Sequence, residues 1–321
     1  MVHRARRIAA ASAAALLAAM ALLSAPAARA EVPRSALGEL TLAAAAGMAS
    51  PDGDAPGTDD WNCRPVAAHP RPVVLLIGTG ANMMLNWHYM GPQLHRQGYC
   101  VFSLNYGDTG RGPFKALGDI PTSARQVAGF VDRVLAATGA EQVDLVGHSQ
   151  GGGVLPRWYL RFEGGADPAD PARNKVHSLV GIAPSNHGSD LDGLAPALTK
   201  LGFFDAVTAL QGGPATEQQR RGSWVNTTLD AGGDTVPGVD YTVISTRDDL
   251  VVTPYTIQAL TAGPGATVHN EVVQDVCRTL LPIVLSHAAM AFSPTVLGLV
   301  EDALDPSVAH ARPCSPLLDA G

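Results

Sequence analysis

The sequence predicts an α/β fold in which a mostly parallel central sheet is flanked by helices, with a small helical cap region. Three observations predict it. Short, continuous apolar runs recur along the chain, stopped by glycine or by polar turn residues. Stretches of helical period lie between them. The chain has 321 residues and is 46% hydrophobic, enough for one large core. Strands that are apolar on both faces belong in a sheet covered on both sides. Strand–helix alternation supplies the crossovers that parallel pairing requires.

The first strand is Val73-Val74-Leu75-Leu76-Ile77, stopped by Gly78, and the second is Cys100–Leu104. Residues 122–138 place Val127, Phe130, Val131, Val134 and Leu135 at helical spacing. Val143–Val146, Ser178–Ala183, Tyr241–Ser245 and Val268–Val273 complete six expected strands. The interval from Asp190 to Asp240 is long for one crossover. Its front half is apolar at roughly helical spacing, which fits helices covering the sheet. It also fits a cap whose Leu198, Phe203 and Phe204 form a substrate-binding wall.

The N-terminus reads as a leader. Arg4, Arg6 and Arg7 precede an apolar run from Ile8 to Leu23, and Ala28-Arg29-Ala30 offers a cleavage site before Glu31. That run is shorter than the roughly 20 residues of a membrane span. Three regions follow: residues 1–30 as signal peptide, 31–59 as a loose lead-in rich in Ala, Pro, Gly and Asp, and 60–321 as one catalytic domain. The expected location is outside the cell, with no stable membrane insertion.

The formal net charge is −7. Loss of Arg4, Arg6, Arg7 and Arg29 with the leader takes Lys+Arg from 22 to 18 against 29 acidic residues, or about −11. An acidic surface argues against nucleic acid or anionic membranes as partners. Cys63, Cys100, Cys277 and Cys314 would meet oxidising conditions after export, which favours two disulfides. Proximity along the chain favours Cys63–Cys100 and Cys277–Cys314 among three possible pairings. No C-x-x-C spacing suggests metal binding instead.

The chemistry centres on Gly147-His148-Ser149-Gln150-Gly151, a G-x-S-x-G pattern between an apolar strand and a helix-compatible stretch. A serine presented on so sharp a turn leaves no room for side chains two residues away on either side, hence the glycines. Ser149 is the candidate nucleophile, and it needs a base to take its proton. An acid and then a histidine should follow it along the chain. Asp248 or Asp249, just past the strand Tyr241–Ser245, can supply the acid. A like charge beside the acid would raise its pKa. His269, His287 and His310 are the later histidines, of which His287 alone sits in a segment suited to a loop above the sheet. The developing oxyanion needs donors. The N–H of Gln150 is one, and Thr79 in Gly78-Thr79-Gly80 can offer its N–H and its hydroxyl. A dinucleotide-binding reading of that G-x-G fails, because Met83 stands where a third glycine belongs and no acidic ribose ligand follows.

Several segments together resemble a known group. They are Gly78–Asn82 with Asn86-Trp87, Leu145–Gly152, Pro156–Leu160, Gly181–Gly188, Thr246–Tyr255, and the segment from Cys277 holding His287 and Ala303-Leu304-Asp305-Pro306. The chain looks like a secreted, actinomycete-type bacterial triacylglycerol lipase of the α/β-hydrolase superfamily, related to the fungal lipase B type. The resemblance implies Asp249 as the acid, His287 as the base and Thr79 as the oxyanion threonine. It supports both cysteine pairings and implies no cofactor and no metal. It also implies an ester or lipid substrate, met at a lipid–water interface. Pro156 would fall inside the helix after the nucleophile, so that helix should be kinked or begin late. A short-chain carboxylesterase, a polyester hydrolase or an acyltransferase could use the same residues. A noncatalytic binding module is disfavoured by the intact set.

Overall fold

In the computed structural model, residues 36–189, 213–277, 286–308, 310–312 and 314 are described. The six expected strands all form. They are β1 (Val73–Leu76), β2 (Val101–Leu104), β3 (Val143–His148), β4 (Val176–Ile182), β5 (Asp240–Ser245) and β6 (Thr267–Val272). They make one sheet in the order β2-β1-β3-β4-β5-β6, and every neighbouring pair is parallel. Every residue of β1, β2 and β3 is buried. Burying each large aliphatic side chain contributes roughly 1.5–3 kcal/mol, so these three strands anchor the core. β6 is the exposed edge, where His269 faces solvent.

The helix expected over 122–138 runs from Ile120 to Thr138 (α2; α1 is the N-terminal helix Ala36–Ala49). Asp119 caps it, accepting from the Thr122 N–H at 3.0 Å, and Gly139 ends it with φ 74°. Val127, Val131 and Val134 are fully buried, and Phe130 and Leu135 pack on the core from its margin. The helix after β3 (α3) is Val154–Phe162, preceded by a short 3₁₀ turn, Ser149–Gly152. Pro156 is therefore the third residue of a late-starting helix. An N–H there would lack an intrahelical partner anyway, so proline costs little.

The lead-in read as loose is ordered from residue 36 onward. Ala36–Ala49 is a helix, α1, and its Ala43 is fully buried beside Ala291 and Phe292. Beyond it, the Asp59 N–H donates to the Val101 carbonyl, and the Asp59 carboxylate accepts from the Ser103 N–H, which ties this segment to β2. Ser35–Gly321 form one compact unit. The alanine-rich segment 36–49 carries no stripe that marks a buried side, so periodicity does not reveal the helix. The expected signal peptide, residues 1–30, lies outside the described residues. Leu198, Phe203 and Phe204, expected to form the acyl wall, also lie outside the described residues.

Both disulfides join the cysteines expected to pair, Cys63 to Cys100 and Cys277 to Cys314. The first fixes the segment before β1 to the start of β2, and the second holds the C-terminal tail to the chain just after β6. No helix among the described residues is long and apolar enough to cross a membrane.

Candidate active site

The strand order reverses direction at β1. The chain moves from β1 outward to β2, then returns to lay β3 on the other side of β1. In open α/β sheets such a switch point leaves a crevice at the carboxyl ends of the strands. The loop after β1 carries Thr79, and the turn after β3 carries Ser149. The register aligns Leu76 with Gly147, so both arrive at the same level.

Ser149 has φ 57°, a left-handed backbone that a non-glycine residue adopts only under local constraint. The constraint is visible in its neighbours. A Cβ on Gly147 would lie 1.8 Å from the Gly151 carbonyl oxygen, and one on Gly151 would lie 2.3 Å from that of Leu76. A Cβ on Gly78 would lie 3.2 Å from the Ser149 Cβ, which shows how closely the β1 loop approaches the serine. All the obstacles to Gly147 are backbone atoms that cannot swing aside. Gly147→Ala is expected to destabilise the protein by about 4 kcal/mol or more, read as a large fall in Tm. A Tm near that of wild type would show that the turn has another way to form.

The acid and base positions meet beside this turn. His287 Nδ1 donates to Asp249 Oδ2 at 2.9 Å, and both side chains are buried. The other oxygen, Asp249 Oδ1, accepts from the N–H groups of Val251 and Val252 at 2.8 and 2.9 Å. Gln258 Nε2 donates to Oδ2 at 2.8 Å. Burial alone would push the Asp249 carboxyl up, but the His287 charge and these hydrogen bonds outweigh it and hold the carboxyl below its ordinary value. Asp248 does not raise it as anticipated, because its carboxylate turns instead to Gln274 Nε2, 3.1 Å away. His310 is paired with Asp302 at 3.0 Å, and His269 is exposed on β6. His287 is the later histidine that reaches the site: its ring centroid is 4.9 Å from that of His148, the residue before Ser149.

Two glutamine side chains converge on the Thr79 hydroxyl. Gln150 Nε2 donates to Thr79 Oγ1 at 2.9 Å and Gln219 Nε2 at 2.8 Å. The loop itself is held by Gly78 N–H donating to Asn86 Oδ1 and Gly80 N–H to the Lys115 carbonyl, at 2.8 and 2.9 Å. The Thr79 N–H meets no acceptor among the described residues. Gln219 and Gln258 were not singled out from the sequence. A glutamine outside any motif carries no local signal, and its partner is decided by chain reversals far from it.

One group of metal-ligand side chains is present among the described residues, His187, Asp230 and Asp234. The Arg157 guanidinium, itself buried, lies 3.5 Å from Asp234 and 3.9 Å from Asp230. The protein's own cation thus already offsets part of that charge.

An all-parallel sheet with a serine turn at its switch point defines the α/β-hydrolase fold. Residues 72–221 match the family model described as alpha/beta hydrolase fold. The chain has that fold, and the match covers somewhat under half of its length. A triacylglycerol lipase of Burkholderia plantarii is 35% identical over 132 residues, covering 36% of this chain and 32% of the relative. Lipase B of Aspergillus fumigatus superposes with a TM-score of 0.60 at 20% identity, covering 81% of this chain and 57% of that one. The second likeness is one of fold. The match spans about a third of the bacterial lipase's length and somewhat over half of the fungal one's.

Proposed function

We propose that the chain is an exported serine ester hydrolase acting on acylglycerols, with Ser149 as nucleophile, His287 as base and Asp249 as the acid that orients it. One observation carries the reading. A serine held at φ 57° on a strand-to-helix turn stands beside a buried, directly bonded histidine–aspartate pair. The 35% identity to a triacylglycerol lipase supports the substrate class. Two disulfides and the basic-then-apolar start of the chain support export.

The chemistry is acyl transfer in two steps. His287 takes the Ser149 proton as Oγ forms a bond to the ester carbonyl carbon. The N–H groups of Thr79 and Gln150 receive the oxyanion. With two amide N–H groups entering the Thr79 oxygen, its own O–H proton points away from both and is a third donor. The C–O bond to the alcohol breaks, and the alcohol leaves with the proton from His287. Water, deprotonated by His287, then attacks the acyl-enzyme and frees Ser149. Asp249 keeps the Nδ1 proton in place throughout and stabilises the imidazolium that forms.

Hydrolysis rates on esters from acetyl to oleoyl, with an emulsified triglyceride included, test the substrate class. Activity that rises toward long chains and extends to the emulsion is expected. A sharp optimum at acetyl or butyryl, with none on the emulsion, makes the protein a carboxylesterase instead.

A further inference from the structure

His148 stands between Gly147 and Ser149, and the reaction as written gives it no part. It is the last residue of β3 and its side chain is buried. Nε2 lies 3.0 Å from the backbone carbonyl oxygen of His287, and Nδ1 lies 3.3 Å from Asn86 Oδ1. A carbonyl oxygen only accepts, so the shorter contact requires the proton on Nε2. Burial, and then the neighbouring His287, push the His148 pKa down to about 3, which leaves the ring neutral with a single N–H. Nδ1 then carries the lone pair. Asn86 Oδ1 is already taken by the Gly78 N–H at 2.8 Å and stands off at the longer distance.

This contact ties down the main chain of the base. The His287 imidazole is gripped by Asp249, at the end of β5, and the Ser286 hydroxyl donates to the Asp248 carbonyl in that same loop. Those bonds fix His287 relative to β5. The bond from His148 fixes it relative to β3, the strand whose end carries Ser149. It therefore sets a separation that the bonds to the β5 loop leave free.

We propose that His148 is a positioning residue, whose Nε2–H donated to the His287 carbonyl sets where the His287 imidazole stands relative to Ser149. The proposal rests on the Ser149–His287 reading above. A displacement of about 1 Å between reacting groups costs on the order of 10²-fold in rate, so the contribution should be large in kcat and small in binding.

Glutamine carries its amide nitrogen close to where imidazole Nε2 lies, and asparagine falls one carbon short. His148→Asn is expected to lower kcat by roughly 10- to 100-fold with KM unchanged, and to slow labelling of Ser149 by a serine-directed phosphonate in parallel. His148→Gln is expected to recover most of that loss. Equal rates in the two variants, whether both high or both low, overturn the proposal. Wild-type protein that the phosphonate does not label overturns the underlying reading instead, which separates the two failures. Nitrogen-15 NMR of the wild-type imidazoles gives a second measurement that needs no variant to fold. A neutral His148 protonated at Nε2 is expected, and a proton on Nδ1 overturns the proposal.

Discussion

Replacing Ser149 with alanine is expected to lower kcat for ester hydrolysis by about 10⁵- to 10⁶-fold, with KM within a few-fold of wild type. A nucleophile acts only in bond formation, so its removal takes away covalent catalysis while the donors at Thr79 and Gln150 remain. Those donors leave a residual rate on the order of 10³-fold above water. Stability separates this effect from misfolding. Alanine keeps the Cβ and therefore keeps the strain at φ 57°. Glycine relieves it: a left-handed non-glycine residue costs roughly 1–2 kcal/mol, and the extra freedom of unfolded glycine takes back about 0.5–1. Ser149→Gly should thus be as inactive as Ser149→Ala and more stable by about 0.5–1 kcal/mol in thermal denaturation. A purified Ser149→Ala protein with wild-type activity would move the nucleophile elsewhere.

The parts of the fold that were legible in the sequence are those where one physical demand acts locally. Val73–Leu76 reads as a buried strand because it is apolar on both faces, and it is buried in the sheet. Gly147 and Gly151 read as a turn around Ser149 because nothing larger fits, and their surroundings bear this out. The helix Ala36–Ala49 was missed because alanine marks no face. His148, Gln219 and Gln258 were missed for a different reason. Each makes a hydrogen bond that no motif announces: His148 to the His287 carbonyl, Gln219 to Thr79, Gln258 to Asp249. Gln258 is only nine positions past Asp249, yet nothing in those nine residues says that its amide turns back. The choice between Asp248 and Asp249 was open from the residues alone, and the resemblance alone favoured Asp249. In the structure it rests on which carboxylate turns inward.

That choice has a direct test in two asparagine variants. Asp249→Asn is expected to lower kcat by about 10³- to 10⁴-fold, while Asp248→Asn stays within about two-fold of wild type. The Asp249 carboxylate accepts from Val251 and Val252 on one oxygen and from Gln258 and His287 on the other. An amide has one oxygen and one NH₂, so one pair of donors must meet another donor. If the oxygen keeps Val251 and Val252, the NH₂ faces His287 Nδ1. The imidazole proton must then move to Nε2, and the ring can no longer accept from Ser149. Gln258 loses its acceptor as well, at a cost of about 1–3 kcal/mol for a buried group left unpaired. The same carboxylate sets an acid limit to stability. Its folded-state pKa is lowered, so its contribution is present above the unfolded value near about 3.9 and is lost as pH falls through the lower folded value. Tm measured from neutral pH into the acid range should therefore fall less steeply for Asp249→Asn than for wild type, from a lower starting point. Asp248→Asn should track wild type, because its carboxylate turns away to Gln274. If Asp248→Asn is instead the inactive variant, the orienting acid is the half-buried member of the pair, and the buried bonds at Asp249 serve stability alone.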